Sequence, residues 1–119
     1  LLSVSQNYTG YFESKIDNQI ESLIFIKKLI NKAKSKSVEN IILVTISAVV
    51  DIDRFNNDNL LLNDLLWYKT FSNYQGVEFV DLLKYFSKQK YHEKYYFTCD
   101  QHFNLNGAKV VGKIINKKL

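Results

Sequence analysis

The sequence predicts a single α/β domain, a parallel sheet with helices packed against it, and three observations carry that prediction. Apolar, β-branched runs of strand length alternate with longer stretches of helical periodicity along the 119 residues. The central run, residues 41–50 (IILVTISAVV), is continuous rather than alternating, as in a strand covered on both faces. Polar loops follow the predicted strands, so polar side chains gather at one edge of the sheet, where α/β folds place their sites.

The elements follow in order. Residues 1–4 (LLSV) read as a buried strand, and 5–10 (SQNYTG) as the polar turn that ends it. From Tyr11 to about Lys36 the pattern is helical. Ile16, Ile20, Leu23, Ile24 and Lys27 recur at three and four, while Lys32, Lys34 and Lys36 crowd the last turns, where the helix dipole favours cations. After the strand at 41–50, residues 51–59 (DIDRFNNDN) read as a loop, with Asp58 or Asn59 capping a second helix from Leu60 to Tyr74. Gly76 ends that helix, 77–81 (VEFVD) alternates as a short strand, and 81–86 turns into a brief helix. A charged, aromatic loop at 88–94 leads to a strand edge at 95–97, a polar loop with Asp100 and His102, a turn at Asn106-Gly107, and a closing amphipathic helix.

Composition narrows the function classes. Hydrophobic content of 46% with 24% charged residues is that of a globular chain rather than a disordered one. The net charge of +4 comes mostly from lysines at helix ends and in the C-terminal tail, and no nucleic-acid motif accompanies it, so no nucleic-acid partner is expected. One cysteine, Cys99, excludes an intrachain disulfide. The run at 41–50 is half the length a membrane span needs, so membrane association would have to come through other regions. The sequence holds no methionine, and it is expected to be a piece of something longer. No metal is expected. Asp51, Asp53 and Asn57 lack the glycine and closing glutamate of a calcium loop, and His92, Glu93, Cys99, Asp100 and His102 lack the compact spacing of a zinc site.

The candidate chemistry lies in residues 95–119. Asp100 stands two residues before His102 on a loop ahead of a helix. A carboxylate there can hold one ring nitrogen while the other takes a proton from a nucleophile. The competing reading is that Asp100 caps a turn and His102 is a partly buried loop residue. Convergence favours chemistry: Asn7, the 51–57 loop and the 100–102 loop all follow predicted strands and would share one sheet edge.

The ensemble resembles the C-terminal part of the SGNH (GDSL-like) hydrolase and acyltransferase superfamily. LLSV followed by Ser5-Gln6-Asn7-Tyr8 occupies the place of the family's Gly-x-Asn-Asp block, with Ser5 and Tyr8 standing where the family has glycine and aspartate. GVEFVDLLKYF matches its Gly-Val-x-Phe/Tyr-Val-Asp-Leu phrase, and FTCDQHFNLNGAKVVGKII its terminal block of acid, base, aromatic, polar turn and Gly-Ala helix. The two-residue spacing of Asp100 and His102 resembles the Asp-x-His variants among polysaccharide O-acetyltransferases and esterases.

The resemblance implies a three-layer α/β/α domain over residues 1–119, flavodoxin-like in its sheet and truncated at its N-terminus. It further implies an ester hydrolase or O-acyltransferase acting on acylated carbohydrate in the cell envelope, without metal or organic cofactor. His102 would be the base, Asp100 its orienter, and Asn7 an oxyanion-hole donor. No Gly-Asp-Ser block occurs in the sequence, so the serine is expected outside this chain, and the chain alone is expected to lack esterase activity. The open sheet edge at residues 1–4 invites pairing with a missing N-terminal part or a second copy. The alternative is a non-catalytic α/β module that binds carbohydrate or protein. A flavodoxin-like or response-regulator domain is a third reading, which leaves the Asp100–His102 block unexplained.

Overall fold

The helical periodicity of the first third of the chain is realised as α1 (Ile16–Ser35), which lays Leu23 and Ile30 into the core. The computed structural model describes Phe12 and residues 15–119. The predicted strand at 1–4 and Asn7 therefore lie outside the described residues. After α1 come β1 (Ile42–Thr45), α2 (Val49–Asn57), a 3-10 turn (Leu62–Asp64) and α3 (Leu66–Phe71). These are followed by β2 (Glu78–Asp81), α4 (Leu82–Phe86), a second 3-10 turn (His92–Tyr95) and α5 (Leu105–Asn116). The strands pair in parallel, Ile42 opposite Glu78 through Thr45 opposite Asp81, and the fold is mixed α/β as the sequence predicts.

Two expectations fail in the middle of the chain. The apolar run at 41–50 is not one strand: pairing ends at Thr45 and helix begins at Val49. Thr45 turns its hydroxyl to Asp81 Oδ1 at 2.9 Å, and the Asp51 carboxylate reaches back to the Ala48 N–H at 3.2 Å. Ala48 has no side-chain acceptor, so Asp51 supplies one half of a capping box. The segment read as a loop at 51–57 is therefore helical. Ile52 is fully buried and Asp51 nearly so, while Asp53, Arg54, Asn56 and Asn57 form the solvent side, with Arg54 paired to Asp58 at 2.7 Å.

The predicted helix from Leu60 to Tyr74 is broken as well. Asp58 is the C-cap of α2 rather than an N-cap, and Asn59 takes a left-handed conformation with φ +49°. With no side-chain cap ahead of it, the leucine-rich stretch makes a single 3-10 turn, and extended Leu65 then starts the short α3.

β2 and α4 match their local signals, whereas the strand edge read at 95–97 is reduced to a single bridge at Tyr96 after a 3-10 turn that ends at Tyr95. Asp81 closes β2 and caps α4, its Oδ1 accepting from the Leu83 N–H at 3.0 Å and the Lys84 N–H at 3.5 Å. Leu82, Leu83 and Phe86 of α4 are fully buried and, with Ile52 and Phe71, form the centre of the core.

Candidate functional site

The terminal block is built outward from Phe86. Tyr96 and Phe103 form an antiparallel bridge, their rings 4.8 Å apart and both packed on the Phe86 ring at 5.7 and 5.5 Å. Backbone hydrogen bonds close the base of the loop, Phe97 N–H to His102 O at 2.8 Å and Asn104 N–H to Tyr95 O at 3.0 Å. Asn104 then locks the loop to the helix behind it. Its amide donates to Lys94 O and Tyr96 O at 2.8 and 3.1 Å, and its Oδ1 caps α5 by accepting from the Gly107 N–H at 3.0 Å. The predicted turn at Asn106-Gly107 is instead the first turn of α5, which begins at Leu105.

Asp100 and His102 sit on the loop held in this way, and they face each other. Asp100 Oδ1 accepts from the His102 backbone N–H at 3.1 Å, and Oδ2 lies 3.4 Å from His102 Nδ1. Gln101 between them is left-handed, with φ +64°. The backbone hydrogen bond from His102, first, and then the bond and charge of its ring hold the Asp100 carboxyl below its ordinary value. The separation of 3.4 Å is long for a hydrogen bond. With Nδ1 toward the carboxylate, Nε2 is turned to solvent; the His102 side chain is 82% exposed. Among the described residues no serine is hydrogen-bonded to the ring.

Two long-range contacts set the loop at the C-terminal end of β1. The Val50 N–H donates to Gln101 Oε1 at 3.3 Å, and the buried Tyr96 hydroxyl donates to Ser47 O at 2.8 Å. Burial, and then the charge of Asp51, raise the Tyr96 phenol above its ordinary 10.0, so it serves as a neutral donor. The loop is thus tied through Gln101 and Tyr96 to the segment that follows β1, while Asn7 lies outside the described residues.

Sequence reasoning did not find the second imidazole–carboxylate pair. His92, only 8% exposed, places Nε2 2.8 Å from Asp53 Oδ1 and ties the 3-10 turn at His92–Tyr95 to α2. The partners are 39 residues apart, and no local pattern announces them. Among the described residues no group of three His, Cys, Asp or Glu side chains is placed to hold a metal ion. No helix among them is long and apolar enough to cross a membrane. A mostly apolar cavity of about 230 Å³ lies between α1, β1 and α3, with Ser47 and Asp51 in its lining, but neither Asp100 nor His102 contributes to it.

Comparison of the chain with protein-family models, with curated proteins and with solved structures gives no match.

Proposed function

We propose that this chain supplies the acid–base half of an SGNH-type ester hydrolase or O-acyltransferase acting on acylated carbohydrate. The observation that carries the reading is the Asp100–His102 pair, held on a closed loop at the C-terminal end of β1 with Nε2 facing solvent. In this reading a serine outside these 119 residues is the nucleophile. His102 Nε2 removes its proton as Oγ attacks the ester carbonyl, then returns that proton to the departing sugar oxygen. Water or an acceptor hydroxyl reverses the sequence on the acyl-enzyme, giving hydrolysis or transfer. Asp100 fixes the Nδ1–H tautomer and stabilises the imidazolium. Asn7 donates to the tetrahedral oxyanion, a contact worth roughly 3 kcal/mol in comparable sites. The α/β domain is completed as a three-layer sandwich by strands beyond β1 and β2.

The rival reading, a non-catalytic carbohydrate- or protein-binding module, draws on the lack of a serine bonded to His102 among the described residues. One assay separates them. The longest natural form containing this chain is tested on p-nitrophenyl acetate and on an acetylated oligosaccharide, beside His102→Ala. A fall in kcat of roughly 10²–10⁴ in the variant is the expected result. Equal rates in two folded proteins would leave the binding module in its place.

A further inference from the structure

The cavity between α1, β1 and α3 has a chemistry of its own. Leu23 and Ile26 of α1, with Trp67 and Phe71 of α3, form apolar walls, and Ser47, two residues past the end of β1, joins them. Ligands of open α/β folds bind beyond that end of the strands. The volume of about 230 Å³ exceeds the roughly 150 Å³ at which an apolar protein cavity takes up benzene. Two buried polar residues stand in this lining, Asp51 at 4% exposure and Ser47 at 6%. The Asp51 carboxylate accepts from the Ala48 N–H. The Ser47 carbonyl accepts from the Tyr96 hydroxyl, but the Ser47 hydroxyl makes no hydrogen bond among the described residues. A buried hydroxyl without a bond is unfavourable, and a guest that bonds to it recovers that loss.

From this lining we infer that the cavity binds a small uncharged ligand with an apolar body and one hydroxyl. The body lies against Leu23, Ile26, Trp67 and Phe71, and the hydroxyl bonds to Ser47. Volume limits the guest to about the size of a phenol or a short alcohol. Charge sets its class. Among the described residues no lysine, arginine or histidine lines the cavity, and the Asp51 carboxylate repels an anion, so carboxylates and phosphates are disfavoured. A cation would give up its water for a carboxylate that already accepts a backbone N–H, in surroundings that return little. An alcohol or phenol loses least, because its hydroxyl can both donate and accept, as can that of Ser47. Neither Asp100 nor His102 lines the cavity, so the inference stands apart from the proposed ester chemistry.

Phenol, toluene, benzoate and benzylamine are titrated into the folded chain while the indole N–H resonance of Trp67, its one tryptophan, is followed by NMR. Phenol and toluene should both shift it saturably, phenol with the lower Kd, and the two charged compounds should leave it in place. Ser47→Ala should weaken phenol roughly three- to tenfold and leave toluene unchanged. Ile26→Phe fills the volume and should abolish both, with the amide spectrum showing that the variant is folded. Should it not fold, Ser47→Ala still decides between the two guests. Absence of a saturable shift with both phenol and toluene overturns the site. Equal effects of Ser47→Ala on phenol and toluene, or none on either, overturn the hydroxyl-bearing ligand, and tighter binding of benzoate or benzylamine overturns the uncharged one.

Discussion

Gly107→Ala should destabilise the protein, although the same exchange in an open helix position stabilises. Gly107 is buried in the first turn of α5, where the helix meets the base of the Asp100–His102 loop. A methyl group there would fall on the Tyr95 carbonyl oxygen and lie 2.9 Å from Phe103 Cδ1. Neither neighbour can yield freely, because Tyr95 O accepts from the Asn104 N–H and Phe103 is packed on Phe86. The intrinsic helical gain of alanine over glycine is about 1 kcal/mol. Against it stand an overpacking cost of about 1–3 kcal/mol and about 1 kcal/mol for a disturbed Asn104 cap. The net loss is about 1–3 kcal/mol. At about 3–5 °C per kcal/mol for a domain of this size, the melting temperature should fall by roughly 3–15 °C. Gly112, in the same helix, has nothing within 4 Å of an added Cβ, and Gly112→Ala should gain up to about 1 kcal/mol. Thermal and urea unfolding of both variants decide the matter. If Gly107→Ala were as stable as Gly112→Ala, close approach of α5 to Tyr95 would not be what the glycine serves.

Four further outcomes follow from the same contacts. His92→Ala and Asp53→Ala, taken with the double variant, should show a coupling of about 0.5–1.5 kcal/mol in urea unfolding, and additive losses would refute the tie between the 92–95 turn and α2. Asp81→Ala removes the cap of α4 and the acceptor of Thr45, and should cost about 2 kcal/mol; a loss under about 0.5 kcal/mol would count against that cap. The Tyr96 phenol is raised by burial and by Asp51, so above pH 10.0 the unfolded chain ionises first while the folded one keeps its proton. Stability should therefore fall as pH rises past that value, and urea midpoints should fall more steeply for wild type than for Tyr96→Phe. Asp100 has the opposite sign: its carboxyl is lowered, so its contribution is present above 3.8 and fades as pH falls through the depressed value. An NMR titration midpoint for Asp100 at or above 3.8 would refute the hydrogen-bonded loop.

What was legible in the sequence follows how local each signal is. β2 and α4 were read correctly because alternation in VEFVD and the capping Asp81 act within a few residues. α1 was read from periodicity over five turns; the helix runs Ile16–Ser35, and the expected start at Tyr11 lies outside the described residues. The run at 41–50 misled because continuous β-branched residues carry no period, and the switch from strand to helix depends on Thr45 meeting Asp81 across the sheet. The polar composition of residues 51–57 disguised α2, since few of its side chains, Ile52 and Phe55 among them, pack into the core. The leucines at 60–66 disguised the reverse case, because apolar content without a cap does not make a long helix.

The site divides in the same manner. The Asp100–His102 geometry spans three residues, so spacing alone could suggest it, whereas its docking depends on Gln101 meeting Val50 and Tyr96 meeting Ser47, 51 and 49 residues away. The sequence offered two readings of Asp100, a turn cap or an orienter of the imidazole, and treated them as rivals. The geometry is compatible with both, because a carboxylate has two oxygens. Oδ1 takes the His102 backbone N–H and thereby fixes the plane of the carboxyl group, which leaves Oδ2 toward Nδ1. The turn cap is what aims the second oxygen. Asp100→Asn therefore separates the two roles: its carbonyl can keep the backbone bond and the loop, while its amide nitrogen presents a donor, not an acceptor, to Nδ1–H.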